Sequence, residues 1–93
     1  MIGTYILHFD RPLTEEEKWV QPFYGDQQHY IGFSNELDKR LAKHMRGGGS
    51  VITRKVFLLG IPMKIGRILE NLNLEEGIEE AYMVKDMCHI CNP

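Results

Sequence analysis

The chain has 93 residues, of which 43% are hydrophobic and 26% charged, and its formal net charge is -2 at pH 7. These proportions exclude a wholly disordered chain and favour a single globular domain over residues 1–93 with a modest core. No apolar run reaches the roughly 20 residues that span a bilayer, and the N-terminus lacks the layout of a secretory signal. We therefore expect a soluble cytoplasmic protein that does not contact membranes.

The first predicted strand runs from Ile2 to Phe9, because this short segment is β-branched and aromatic and ends at Asp10-Arg11-Pro12. Residues 10–28 are polar and contain two prolines, so we expect an inserted loop between two strands. Its aromatic residues could cover the core or contact a protein partner. The second predicted strand runs from His29 to Phe33.

A helix is predicted next, with Asn35 as its N-cap. Leu37, Leu41 and Met45 recur at four-residue spacing, which predicts the buried stripe of this helix. The helix should end at the three glycines that begin with Gly47.

Residues 50–86 allow two interpretations. Local propensity favours a strand from Val56 to Ile61. The resemblance to a known family described below instead implies a helix from about Ser50 to Leu59 and a strand from about Pro62 to Leu69. We prefer this interpretation, because Gly60 can end the helix and Pro62 can begin an edge strand. A last helix is predicted to begin at Asn73, where Asn73 and Glu76 have the spacing of a capping box.

The charged residues are unevenly distributed. Six basic residues and no acid occupy the segment 39–55, namely Lys39, Arg40, Lys43, Arg46, Arg54 and Lys55. Acidic residues are concentrated in the last third of the chain. The basic segment favours an anionic partner, and we expect DNA.

One part of this segment offers chemistry for a phosphodiester. Arg40 and His44 lie one helical turn apart, beside the strand that carries Tyr30. A guanidinium binds phosphate oxygens, while a phenol and an imidazole can orient or move protons.

These residues also resemble the GIY-YIG nuclease family. Gly3-Thr4-Tyr5 and Tyr30-Ile31-Gly32 correspond to the two halves of its motif. The closest likeness is to small single-domain bacterial members, whose chains begin with a run similar to Tyr5–Pro12 and end in Cys-x-x-Cys. The resemblance implies an α/β fold with a three-stranded mixed or antiparallel sheet flanked by about three helices.

The resemblance also implies metal-dependent endonuclease activity on DNA. Tyr5 and Tyr30 would manage the attacking water, Arg40 would bind phosphate, and His44 would assist. Glu75, placed by its distance from the terminal cysteines, would hold Mg²⁺ or Mn²⁺. Glu70 and Glu76 remain alternatives for that ligand. Lys39, Lys43, Arg46, Arg54 and Lys55 would contact the DNA backbone.

The terminal pair Cys88 and Cys91 has the spacing of half a zinc site. His8, His89 or a second chain could complete the site. We favour a reduced thiol pair that packs the tail over residues 87–93 and keep zinc as the alternative.

A different class of function is also open. The acidic last third and the inserted loop are compatible with a binding or inhibitor protein that retains the scaffold without turnover. A third possibility is a structural module held together by zinc.

Overall fold

The computed structural model describes residues 1–18, 25–71 and 84–93. Four strands and four helices lie in these ranges. The strands are β1 (Gly3–Phe9), β2 (Gly25–Asp26), β3 (His29–Ser34) and β4 (Met63–Glu70), and the helices are α1 (Glu15–Lys18), α2 (Leu37–Met45), α3 (Val51–Leu58) and α4 (Val84–Met87).

The strands form one antiparallel sheet in the order β2-β3-β1-β4. The predicted α/β class and the three long strands are confirmed, and the two-residue β2 adds a short fourth strand. β1 lies between β3 and β4 and is buried over its whole length. Because alternate residues of a strand face opposite sides of a sheet, β1 contributes side chains to two separate layers.

The larger apolar core lies between the sheet and helices α2 and α3. It comprises Tyr5, Leu7, Phe9, Leu13, Leu37, Leu41, Ile52, Val56 and Ile61. The opposite face carries a much smaller cluster of buried residues, Ile6, Ile31 and Cys88, with Met87 and Cys91 packed against it. The C-terminal tail therefore covers the reverse face of the strands whose front face packs against the helices.

The preferred interpretation of residues 50–70 is confirmed, and a strand over Val56–Ile61 is wrong. Ser50 caps α3, since its Oγ accepts a hydrogen bond of 3.1 Å from the backbone N–H of Thr53. Gly60 adopts φ +74° just after the helix, where the Ile61 N–H donates to the Val56 carbonyl at 3.1 Å. This is the left-handed ending that glycine favours, and β4 follows as an edge strand.

Two details predicted for α2 are wrong. The N-cap position belongs to Glu36 and not to Asn35, and it makes no side-chain capping bond. Met45 is 39% exposed, whereas His44 is buried with Leu37 and Leu41. The buried face thus follows the i, i+4, i+7 pattern. An imidazole can occupy it because its ring nitrogens find partners, as described below.

The segment predicted as an inserted loop contains α1 and β2 in its described part. Leu13 is buried and its N–H donates to the Gln27 carbonyl at 2.8 Å, which ties the segment to the sheet edge. Trp19, Phe23 and Tyr24, and the helix predicted from Asn73, lie outside the described residues. None of the helices in the described ranges has the length and apolar content needed to cross a membrane.

Candidate functional site

Two predicted site residues, 39 positions apart in the chain, meet in the core. The Tyr5 hydroxyl lies 2.5 Å from Nε2 of His44, and both side chains are buried. Tyr5 reaches this position from the centre of β1, and His44 reaches it from the last turn of α2. The roles of Tyr5 and His44 in a reaction stay a prediction, and His44 lies in the core of the domain.

The other partners of His44 define its tautomer. Nδ1 lies 3.1 Å from the Gly48 carbonyl oxygen and 3.0 Å from Oγ1 of Thr53. Because a carbonyl only accepts, the proton is assigned to Nδ1, and Nε2 accepts the Tyr5 hydroxyl proton. Thr53 in turn donates to Gly48 and is bonded to Ser50 at the start of α3.

Both members of this pair are uncharged near neutral pH. Burial lowers the pKa of His44 to about 4, although its bond to the Gly48 carbonyl acts in the opposite direction. Burial, followed by the neighbouring Tyr30, raises the pKa of Tyr5 well above its ordinary value, and Arg40 offsets only part of this effect. A neutral phenol that donates to a neutral imidazole is thus the resting arrangement.

Tyr30 is the half-buried end of the cluster. Its ring centroid is 6.1 Å from that of Tyr5 and 5.4 Å from that of His44, so the three rings are in contact. Gly32 lies directly opposite Tyr5 in the β1–β3 register. A side chain at Gly32 would overlap the Tyr5 hydroxyl, so this glycine lets the tyrosine ring cross the neighbouring strand.

Arg40 lies at the rim of this cluster of Tyr5, Tyr30 and His44, hereafter the tyrosine cluster. Its guanidinium donates to the Gly49 carbonyl at 3.3 Å and remains half-buried. A depression of about 240 Å³ next to it is lined by Ser34, Glu36, Lys39, Arg40 and Lys43. Of the other predicted DNA contacts, Arg46 and Arg54 are exposed and Lys55 is half-buried.

The predicted carboxylate is not part of the described cluster. Glu75 and its alternative Glu76 lie outside the described residues. Glu70 ends β4 and is exposed, on the face of the sheet that also carries Tyr5. Within the described ranges, the charged groups that influence Tyr5 and His44 are Tyr30, Arg40 and Lys43. Mg²⁺ prefers oxygen ligands that include carboxylates, and this group of side chains does not supply them.

A second cluster lies on the reverse face of the same strands. His8, His29, Cys88 and Cys91 each offer one ligand atom, and these four atoms all lie within 4.8 Å of one another. Nδ1 of His8 is 3.4 Å from Nε2 of His29. The Cys91 sulfur is 3.4 Å from both of these nitrogens, and the Cys88 sulfur is 3.7 Å from His8. These four side chains, hereafter the Cys-His cluster, could hold a metal ion.

The surroundings of the Cys-His cluster favour the metal-binding protonation states of Cys88 and His8. For His29, burial lowers the pKa, but the bond to Asp26 outweighs this effect, so the pKa is raised. Nδ1 of His29 lies 2.9 Å from Oδ1 of Asp26, which fixes the ring and leaves Nε2 free to bind. Burial opposes ionisation of the Cys88 thiol, but hydrogen bonds from the backbone N–H groups of Cys91 and Ile90 outweigh it, so the Cys88 pKa is lowered. For His8, burial and then the neighbouring His29 lower the pKa, which also favours the neutral ligand form.

Gly66 of β4 makes room for this cluster. A Cβ atom at Gly66 would lie 2.7 Å from the Cys88 sulfur. The Gly66 carbonyl also accepts a hydrogen bond of 2.9 Å from the His89 N–H, which ties the tail to the edge strand.

Sequence reasoning found part of this cluster. His8 and His89 were both candidates to join the two cysteines in a metal site. His8 lies beside the cysteines, whereas His89 is exposed and is not part of the Cys-His cluster. No second chain is needed to supply a fourth ligand. His29 and its partner Asp26 were missed. The available signal was a histidine in each of two predicted neighbouring strands, together with the Cys-x-x-Cys pair.

No family model, curated protein or solved structure matches this chain.

Proposed function

We propose that this protein hydrolyses DNA phosphodiester bonds at the tyrosine cluster and carries a structural zinc ion in the Cys-His cluster. The observation that carries the first part is the buried hydrogen bond between Tyr5 and His44, with the ring of half-buried Tyr30 against both and Arg40 at the rim. These are the residues that the resemblance to GIY-YIG nucleases assigns to the reaction.

A proton relay through the three side chains of the tyrosine cluster would activate the attacking water. Water adjacent to Tyr30 attacks phosphorus, a new P–O bond forms, and the bond to the leaving oxygen breaks. The water proton passes to the Tyr30 oxygen, the Tyr30 proton to Tyr5, and the Tyr5 proton to Nε2 of His44. The leaving oxygen takes a proton from solvent. The low pKa of His44 makes it return the proton readily, so the neutral cluster is restored.

Binding of the substrate falls to the basic side chains beside the cluster. The guanidinium of Arg40 presents a planar set of donors to non-bridging phosphate oxygens, and Lys43 adds charge one turn later. Arg40 and Lys43 both line the 240 Å³ depression. Glu75, which the resemblance assigns to Mg²⁺ or Mn²⁺, lies outside the described residues. Such an ion would supply charge neutralisation at the phosphate.

The test compares two arginines of the same helical region. Supercoiled plasmid is incubated with the native protein, Arg40→Ala and Arg46→Ala, each with Mg²⁺ or Mn²⁺. We expect the native protein to cleave and Arg40→Ala to lose about 100-fold or more, since a preorganised charge at the phosphate is removed. Arg46→Ala should lose only the DNA affinity that one contact with the phosphate backbone supplies.

Two further variants probe the proton relay and the predicted carboxylate. Tyr30→Phe should reduce cleavage without reducing DNA affinity, and Glu75→Ala should abolish the cleavage that Mg²⁺ or Mn²⁺ supports. Absence of cleavage of any DNA by the native protein, with DNA affinity retained, would overturn hydrolysis in favour of a binding protein. Equal cleavage by all variants would point to a contaminating nuclease.

The zinc assignment rests on ligand type and spacing. Tetrahedral zinc has Zn–S distances of about 2.3 Å and Zn–N distances of about 2.0–2.1 Å. These imply N···N separations of about 3.4 Å and S···N separations of about 3.5 Å. The observed N···N separation of 3.4 Å and S···N separations of 3.4–3.7 Å agree with them. Two thiolates and two imidazoles around one point also form a closed set, which is typical of structural and not catalytic zinc.

Metal analysis of the purified protein tests this assignment. We expect one zinc per chain, and Co²⁺ substitution should give the absorption of a tetrahedral thiolate site. Cys91→Ser should lower the zinc content sharply, whereas His89→Ala should not, because His89 belongs to the same tail but not to the cluster. A native protein without bound metal, or equal loss in both variants, would contradict the assignment.

A further inference from the structure

The two clusters lie back to back on the same pair of strands. β1 carries Tyr5 on its front face and His8 on its reverse face, and β3 carries Tyr30 and His29 in the same way. His8 lies directly opposite His29, and the next pair along the ladder contains Tyr30. A metal ion bound to both histidines would therefore link the two strands next to the tyrosines.

The tyrosine cluster depends on the register of these strands. Tyr5 reaches His44 only because Gly32 lies opposite it, and any side chain at that position would overlap its hydroxyl. A slip of one residue would place Ile31 or Phe33 opposite Tyr5. It would also transfer the side chains of one strand to the other face of the sheet.

On the reverse face, apolar packing contributes little to fixing this end of the sheet. The buried apolar residues of the reverse face are Ile6, Ile31 and Cys88, and one of these three is itself a metal ligand. β2 continues the sheet beyond β3 by only two residues, and the β1–β4 register shifts between Ile6 and Leu7. In a small domain, a metal commonly replaces missing hydrophobic core.

We propose that the metal in the Cys-His cluster is a positioning device for the tyrosine cluster: it fixes the β1–β3 register that lets Tyr5 bond to His44. This inference deepens the proposed hydrolysis and rests on it for its consequence in activity. It makes His8, His29, Cys88 and Cys91 positioning residues that affect the reaction without contact with the substrate.

The test uses Cys91→Ser, which removes a ligand, and His89→Ala, which changes a residue of the same tail outside the cluster. The readout is the imidazole ¹H–¹⁵N spectrum of His44, whose single tautomer reports the bonds to Tyr5 and Gly48. We expect Cys91→Ser, and the native chain after removal of zinc, to lose this signature and, with Mg²⁺ or Mn²⁺ supplied, to cleave DNA about 100-fold more slowly, because misplacement of about 1 Å has such an effect. His89→Ala should retain zinc, the signature and cleavage.

A zinc titration of the chelated native chain gives the same answer without a mutation. The His44 signature should appear in proportion to bound metal. In Asp26→Asn, it should appear at a zinc concentration 10- to 100-fold higher, because the carboxylate orients His29. Helical circular dichroism should be largely retained without zinc, since α2 and α3 pack on the other face.

Two outcomes would overturn the proposal. The first is a zinc-free chain that keeps the His44 signature. The second is loss of the helices together with the metal, which would make zinc a requirement of the whole fold and not of this register. Failure of hydrolysis alone is distinguishable, because the spectroscopic dependence on zinc is read without any substrate.

Discussion

The His44 ring occupies a space that one glycine leaves open. Gly49 has φ +92°, and a Cβ atom there would lie 2.5 Å from two atoms of the imidazole. Gly60 also has a left-handed φ, of +74°, but nothing lies within 4 Å of the corresponding position. The two glycines therefore separate the effect of backbone strain from the effect of crowding the site.

We expect Gly60→Ala to lower the free energy of unfolding by about 1–2 kcal/mol, the cost of a left-handed conformation for a residue with a Cβ. Gly49→Ala should cost about 1–3 kcal/mol more, because the ring must also move. Urea unfolding measures both changes. Equal losses of unfolding free energy in Gly60→Ala and Gly49→Ala would show that the backbone at Gly49 does not confine the His44 ring.

The pKa of His44 gives the stability of the protein a defined pH dependence. Its folded-state pKa of about 4 lies below the ordinary value of 6.5. Between these values the unfolded chain binds a proton that the folded chain does not, so acidification favours unfolding. The contribution is complete above pH 6.5 and is lost as the pH falls towards 4. Between pH 7.5 and pH 5 the loss should be about 2 kcal/mol.

His44→Gln supplies the comparison for this prediction. Urea unfolding of the native and variant proteins is measured at both pH values with the same total zinc. Titration of the metal ligands is common to the two proteins and cancels in the difference. The native protein should lose about 2 kcal/mol more than the variant on acidification. Parallel pH profiles would mean that His44 is accessible to protons in the folded state.

At the scale of elements, the two helices that build the site begin differently. α3 begins at Ser50, whose side chain accepts from Thr53, whereas α2 begins at Glu36 without a side-chain cap. We expect Ser50→Ala to lower the free energy of unfolding by about 1 kcal/mol. Asn35→Ala should change it by less than about 0.5 kcal/mol.

The same pair of variants also tests whether the start of α3 supports the tyrosine cluster. Ser50 is bonded at 2.8 Å to Thr53, which contacts Nδ1 of His44. Ser50→Ala should therefore perturb the His44 imidazole resonances, and Asn35→Ala should leave them unchanged. If Ser50→Ala lowers the free energy of unfolding but leaves the His44 resonances unchanged, Ser50 stabilises α3 without supporting the tyrosine cluster.

Local sequence signals predicted only part of the elements. β-branched and aromatic residues predicted β1, but the same propensity predicted a strand over Val56–Ile61, where the chain is helical up to Leu58. Gly60 indicated the end of α3 correctly, because a helix C-terminus depends on the backbone of nearby residues. The prediction that Asn35 is the N-cap of α2 is wrong. Asparagine is favoured at N-caps, but the chain enters α2 one residue later, where the Glu36 N–H is bonded to the Ser34 hydroxyl at 3.0 Å.

At the scale of the whole molecule, spacing could not reveal which side chains are buried or which segments meet. His44 matched a family position, yet its burial depends on Tyr5 and Thr53, which approach from other elements. The Cys-His cluster joins residues up to 83 positions apart, Cys91 and His8 among them. The terminal cysteines therefore indicated only half of a site until the strand register brought the histidines together.

A metal ion held by the Cys-His cluster should add substantially to the stability of this small domain. A ligand that binds only the folded state stabilises it by about 4 kcal/mol at a concentration 1,000 times its dissociation constant. For a chain of this length, removal of that contribution should lower the melting temperature by roughly 15–30 °C. Calorimetry with and without chelator measures the shift, and re-addition of zinc should reverse it.

Mg²⁺ should not substitute, because the cluster offers sulfur and nitrogen and no oxygen ligand. A melting temperature that is insensitive to chelation, or restored by Mg²⁺, would show that the tail is held to the sheet by packing alone.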